Sequence, residues 1–323
     1  MMIYSNYLRS LLLGFLLASI IFVAAVFLQL GAPVESTRWL YETYNIKNRI
    51  AQSIKVPKLA IVSGSNALFG ISCKTIQQQS KVPCLNGGTN AALGIDYLLK
   101  LARPWLKPGD IVLLPLEYNF YAYQNTPNDA YISYVLARDP QYFRTVDLLT
   151  QFRFITGVSF DRVRQGILAK IKAPEFIVDS NYQSKNINQY GDETSNLKEQ
   201  LTGVSTAKPT EIINGTIQPN YGMNIIRDFI HWCQENNITV LATWPNTIWF
   251  DAYRGQSQQA FFQSIKQFYK KLEIPLLGKP EDFMYENSLF YDTSYHLNAQ
   301  GVKQRTQQII KLLEPYLENM PKI

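Results

Sequence analysis

Histidine is almost missing from this chain, with two in 323 residues. Cysteine is nearly as scarce: there are three, and none stands in a CxxC pair. A structural zinc site draws four such ligands at close spacing, so the sequence argues against one, and no cofactor is expected. The net charge is +6, yet no basic run is interleaved with aromatics. The densest cluster is only Lys270-Lys271. Nucleic acid is therefore not an expected partner. A mildly basic face near an anionic membrane is the plainer reading of the charge.

Charge is absent altogether from residues 11–30, LLLGFLLASIIFVAAVFLQL, where Gln29 is the one strongly polar side chain. As a helix this run spans ~30 Å, the thickness of a bilayer's hydrocarbon core. It is longer than the apolar stretch of a secretory signal, about 7–15 residues, and no clear small-residue cleavage site follows it. It lacks the polar stripe of a soluble helix. The expectation is an uncleaved single-pass anchor, with a cleaved signal as the alternative. Arg9 precedes the run, and Arg38, Lys47 and Arg49 follow it. That count would leave the following domain in the cytoplasm, but long domains translocate largely regardless of flanking charge.

The expected organisation is a tail over 1–10, the anchor over 11–30, a linker with a lead-in helix over 31–56, and one α/β domain over 57–320. Strands are expected at 58–63, 82–86, 111–116, 238–244 and, at an edge, 274–278. The first and third are short apolar runs suited to burial. Helices are expected at 66–79, 89–106, 223–236, 257–272 and 298–317. Such alternation implies a doubly wound parallel sheet. A long insertion, 120–220, interrupts it. Its first part, 129–172, is helical and rich in apolar residues; its second, 175–220, is rich in Asn, Ser, Thr and Gln and reads as loop. An insertion after a strand's carboxyl end can be a lid or a partner surface, or simple decoration.

Three segments at strand ends carry candidate chemistry. In IVSGSNALFGI (61–71), Gly64-Ser65 turns from a strand into a helix. Free N–H groups and the dipole at a helix start favour negative charge, which suits a nucleophile and an oxyanion site. Serine is also an ordinary helix cap. In LNGGTNAALG (85–94), two glycines let the backbone approach a ligand or simply make a tight turn. In FYDTSYHLNAQGV (290–302), Asp292 and His296 stand four apart, so one loop offers an imidazole and a carboxylate to orient it. His231, mid-helix beside Trp232, reads as packing. Cys73 and Cys84, eleven residues apart, can pair in an oxidising compartment or remain two buried thiols; Cys233 reads as core.

Taken in order, these segments resemble the first, second and last sequence blocks of the SGNH (GDSL-like) hydrolases. Ser63-Gly64-Ser65 stands where Gly-Asp-Ser stands in that family. Aligning Ser65 with the nucleophile places Gly70-Ile71 as in the membrane-anchored cell-envelope members, similar to the teichoic-acid D-alanyl transfer protein and the alginate O-acetylation proteins. Ser63 is the alternative. The resemblance covers about 58–120 and 222–318. It implies a flavodoxin-like sheet, and catalytic Ser65, His296 and Asp292. Gly88 would be an oxyanion donor. The family's third block is not clearly present: after the third strand come Glu117-Tyr118-Asn119, where either Asn119 is a donor or Glu117 takes that site. Asn246 also ends a strand on this rim and would line the pocket. The Asp-to-His spacing is one residue longer than the family's usual form, and His296 is followed by Leu-Asn and Gly301. The resemblance further implies an exported domain that hydrolyses or transfers acyl esters on an envelope polysaccharide, and a multispanning membrane O-acyltransferase as partner. A non-catalytic domain that binds polysaccharide or scaffolds export is the alternative.

Overall fold

The structure is a computed structural model that describes residues 2–172, 182–197, 204 and 215–322. Its contacts divide the chain into two compact units, 1–41 with 126–179 and 42–125 with 180–323.

The second unit carries a parallel five-stranded sheet. Its strands are β1 (Leu59–Ile61), β2 (Cys84–Asn86), β3 (Ile111–Leu114), β4 (Thr239–Thr243) and, after a two-residue β5 (Thr247–Ile248), β6 (Leu276–Leu277). The order across the sheet is β2-β1-β3-β4-β6. Strands β1 to β3 are buried throughout, which is what their uninterrupted apolar sequence requires. β6 forms the half-buried edge. β5 pairs instead with β7 (Met284–Tyr285) in a two-stranded ribbon. The turn at 107–110 does more than break the chain. Asp110 accepts a hydrogen bond from the Lys58 backbone at 3.0 Å and ion-pairs the buried Lys58 ammonium, fixing where β1 begins.

Helices run α1 (Met2–Leu28), α2 (Arg38–Ser53), α3 (Ser65–Leu68), α4 (Cys73–Ser80), α5 (Ile95–Ala102), α6 (Asp129–Arg138), α7 (Pro140–Thr145), α8 (Leu148–Gly157), α9 (Phe160–Ile171), α10 (Tyr221–Glu235), α11 (Gln256–Lys271) and α12 (Ala299–Leu317). The apolar run is longer than expected at its start and shorter at its end. It is helical from Met2, and residues 6–28 are long and apolar enough to cross a membrane. Gln29 falls just beyond the helix, buried against Arg162, whose guanidinium donates to it at 2.7 Å.

Two expected helices are broken. In place of 66–79 stand α3 and α4, because Ser72 caps α4, its hydroxyl accepting from Thr75 N–H at 3.2 Å. In place of 89–106 stand α5 and flanking 3-10 turns. Asn90 caps the first turn, and Gly94, at φ +74°, redirects the chain. The first part of the insertion is α6 to α9. In its second part, 182–197 forms two short 3-10 turns and an isolated bridge, Ile187 to Glu193. Residues 173–181, 198–203 and 205–214 lie outside the described residues, so the loop reading there is untouched.

Candidate functional site

Chain order across the sheet reverses between β1 and β3, the place where open α/β sheets hold ligands beyond their carboxyl ends. Ser63, Gly64 and Ser65 follow β1 there, and Glu117 follows β3. Glu117 is buried and binds the turn opposite. Its carboxylate accepts from Gly64 N–H at 3.0 Å, Asn66 N–H at 3.1 Å and the Ser63 hydroxyl at 2.9 Å. A helix start presents unpaired N–H groups, and an anion satisfies them. Glu117 therefore shapes the turn, and its oxygens are committed to these donors. Gly64 is required by this approach, since a Cβ there would lie 2.4 Å from Glu117 Oε1. Ser63 belongs to the same network. It is fully buried, lies 2.6 Å from the Pro115 carbonyl, and accepts from Asn66 Nδ2 at 2.9 Å. A hydroxyl held this way is a structural element, which argues against Ser63 as a nucleophile.

Behind the turn, α12 supplies a buried cation. Arg305 donates to the Asn66 carbonyl at 2.7 Å, to Asn66 Oδ1 at 2.8 Å and to Asn246 Oδ1. Burial pulls its guanidinium down to about 10, still far above neutral, so it remains charged. Gly70 gives it room: a Cβ there would lie 2.5 Å from Arg305 Nη1. Asn246 passes the link onward, its Nδ2 donating to the Tyr295 carbonyl at 2.8 Å. Asn246 thus braces the turn and the last loop as a buried tie.

That loop is closed by its own backbone. Phe290 and Leu297 form an antiparallel bridge, and Tyr291 N–H donates to the His296 carbonyl at 2.8 Å. The residues after His296 explain the anchoring. Leu297 is buried with Phe290, Tyr285, Leu289 and Ile248. Asn298 caps α12, accepting from Gln300 and Gly301 N–H at 3.1 Å each. Gly301 admits the Leu289 carbonyl, which a Cβ there would meet at 2.6 Å.

On this frame His296 Nδ1 pairs with Asp292 Oδ1 at 2.6 Å. The Tyr182 hydroxyl donates to the other carboxylate oxygen. Burial opposes ionisation of Asp292, but the hydrogen bonds from His296 and Tyr182 outweigh it and hold the carboxyl below the usual value. Placing a proton on Nδ1 toward Asp292 leaves Nε2 as the basic nitrogen. The imidazole stacks on Phe69, with centroids 4.1 Å apart and planes 17° off parallel. Phe69 closes the short helix that opens with Ser65, its N–H donating to the Ser65 carbonyl at 2.9 Å. The hydroxyl's turn and the histidine loop therefore meet on one rim.

Ser65 itself is half-buried, and neither its hydroxyl nor its N–H has a hydrogen-bond partner among the described residues. His296 Nε2 has none either, and the two side chains do not bond each other. Gly88 departs from expectation. Its N–H donates to Asn86 Oδ1 at 2.9 Å, and a Cβ on it would lie 2.4 Å from the Leu68 nitrogen. It serves close packing of α3 on this loop, and its N–H is spoken for. Asn119 is exposed in the 3-10 turn Tyr118–Ala122, without a partner among the described residues.

Arg305, Asn66, Phe69 and Tyr182 escaped the sequence reading. Arg305 left a signal: it stands four residues after Gly301 and four before Ile309, on the buried stripe of α12, where a charge demands partners. Cys73 and Cys84 are joined in a disulfide between the starts of α4 and β2. Cys233 is free and buried, and His231 is exposed on α10.

No family model matches the chain, and no curated protein matches it. Among solved structures, protein YxiM from Bacillus subtilis is similar at 9% identity with a TM-score of 0.38, over 83% of this chain. The chain spans 59% of that protein's length.

Proposed function

We propose that this chain is a membrane-anchored serine acyl-ester hydrolase or O-acyltransferase of the SGNH kind. The observation that carries the reading is the Asp292–His296 pair seated on Phe69, the residue that ends the helix begun by Ser65. The strand order, that of flavodoxin-like doubly wound sheets, supports it. In this mechanism Ser65 Oγ attacks an ester carbonyl carbon and passes its proton to His296 Nε2. The tetrahedral intermediate collapses, and the departing alcohol takes that proton. Water or a sugar hydroxyl then attacks the acyl-serine, giving its proton to Nε2; the second tetrahedral intermediate collapses by breaking the acyl–Oγ bond, and Ser65 Oγ takes that proton back as the acid or new ester leaves. Asp292 holds the imidazole in the required tautomer. The free N–H of Ser65 is the first oxyanion donor, and Asn119 is the candidate second.

The substrate in this reading is a cell-envelope polysaccharide, deacylated by water or acylated at a sugar hydroxyl, and a multispanning membrane O-acyltransferase is the partner. Export of the domain is supported by the Cys73–Cys84 disulfide, since such bonds persist in oxidising compartments. The apolar helix would be its anchor.

The test is labelling of the full chain by a serine-directed fluorophosphonate. Ser65→Ala abolishes labelling, and His296→Ala slows it at least about a hundredfold, the low end for a general base. Labelling that survives Ser65→Ala would defeat the assignment. The second reading, a non-catalytic domain that binds polysaccharide, is favoured by the committed N–H of Gly88 and by the missing Ser65–His296 bond. It predicts no labelling of the parent chain and retained carbohydrate binding.

A further inference from the structure

The first unit leaves apolar side chains in the open, and they are not scattered. α8 buries Phe154 against Tyr131 and Phe143 on one face. On its other face Leu148 is 82% exposed, Leu149 57% and Phe152 61%. Phe160, at the start of α9, is 81% exposed. Among the described residues these side chains stay largely exposed, and exposed apolar clusters of this kind mark interaction sites.

Their position identifies the occupant. Phe160 packs edge-on against Phe22, with ring centroids 5.2 Å apart. Phe22 lies inside the stretch long and apolar enough to cross a membrane, six residues before that helix ends at Leu28. Six residues of helix rise about 9 Å. Further along, Phe143 meets Phe27 at 5.9 Å, and Arg162 reaches Gln29 just past the helix. α9 thus runs beside the exit of α1, with its Phe160 end toward the apolar core and its later turns toward water. An amphipathic element lying in a bilayer interface sinks about 5–10 Å into the headgroup boundary, matching this depth.

We infer that the helical insertion is a membrane-interface foot: Leu148, Leu149, Phe152 and Phe160 enter the lipid beside the exit of α1. The inference rests on reading α1 as a membrane span. The ion pair of Arg164 with Asp161, at 2.7 Å, lies exposed on the first turn of α9, beside Phe160. The foot gives the chain a second, non-covalent hold on the membrane, formed by a surface that would otherwise face water.

The test uses the full chain in phosphatidylethanolamine–phosphatidylglycerol vesicles whose acyl chains carry bromine at a shallow or a deep position. Three variants each add one tryptophan: Phe152→Trp, Phe160→Trp and Ile20→Trp. The first two alter exposed side chains, so the fold is not at stake. Expected is a loss of the added emission in all three, strongest with shallow bromine for positions 152 and 160 and with deep bromine for position 20. If position 20 is quenched while 152 and 160 are not, the foot is refuted and the span stands. A protein partner covering this face would give that same unquenched signal. If position 20 is also unquenched, the span reading fails and the foot falls with it.

Discussion

The turn at 63–66 and the loop at 292–296 carry the two halves of the candidate site and are built by opposite means. Around the turn, Ser63, Gly64 and Asn66 are all tied to buried partners, Glu117 in front and Arg305 behind. The loop holds its imidazole by one aromatic face and one partly exposed carboxylate. Ser65 sits between them, untied. The backbone around the hydroxyl is held by buried side chains from other elements, while the imidazole is held within its own loop and by Phe69.

Breaking the turn from behind is expected to have the largest effect. Arg305→Met strands both Asn66 oxygens and Asn246 Oδ1 in the interior. Each stranded group costs about 1–3 kcal/mol, so the chain should lose ~3 kcal/mol or more, read as a fall in thermal midpoint. Glu117→Gln keeps the shape but leaves fewer acceptors for three donors. A loss of about 1–3 kcal/mol is expected, with fluorophosphonate labelling weakened because the turn is no longer held.

The loop should answer to pH through Asp292. The folded state holds the Asp292 carboxyl below its ordinary value. Its stabilisation is therefore complete above the unfolded value, near pH ~4, and disappears as pH falls through the folded value. Thermal midpoints measured down an acid series should drop more for the parent than for Asp292→Asn. The smallest effect belongs to Ser65→Ala. Its hydroxyl binds nothing among the described residues, so stability should stay within about 0.5 kcal/mol while labelling vanishes. A clear destabilisation would mean that the hydroxyl is a structural cap after all.

What was legible in the sequence follows from how local each cause is. The strands announced themselves because burial on both faces leaves no room for polar residues, as in Ile111–Leu114. The Asp292–His296 pair was legible because both residues lie on one closed loop. The break between α3 and α4 was not, although Ser72 caps α4 locally, since the crowding of Gly70 by the Asn66 carbonyl and by Arg305 exists only in the folded chain. Glu117 stood in the sequence only as the alternative to Asn119 at the third-block site. Its role emerges only when β1 and β3 lie side by side and its oxygens meet three donors. Gly88 was read as a donor from the family resemblance, but its N–H is taken by Asn86, two residues away.

The grip of Arg305 on Asn66 has a consequence in time. A polypeptide delivered amino end first presents residues 63–66 long before residue 305 exists outside the machinery that makes or moves it. Until then the serine's neighbourhood lacks its rear support. The turn therefore waits on the last helix for its brace, and a product truncated before that helix should leave it unbraced.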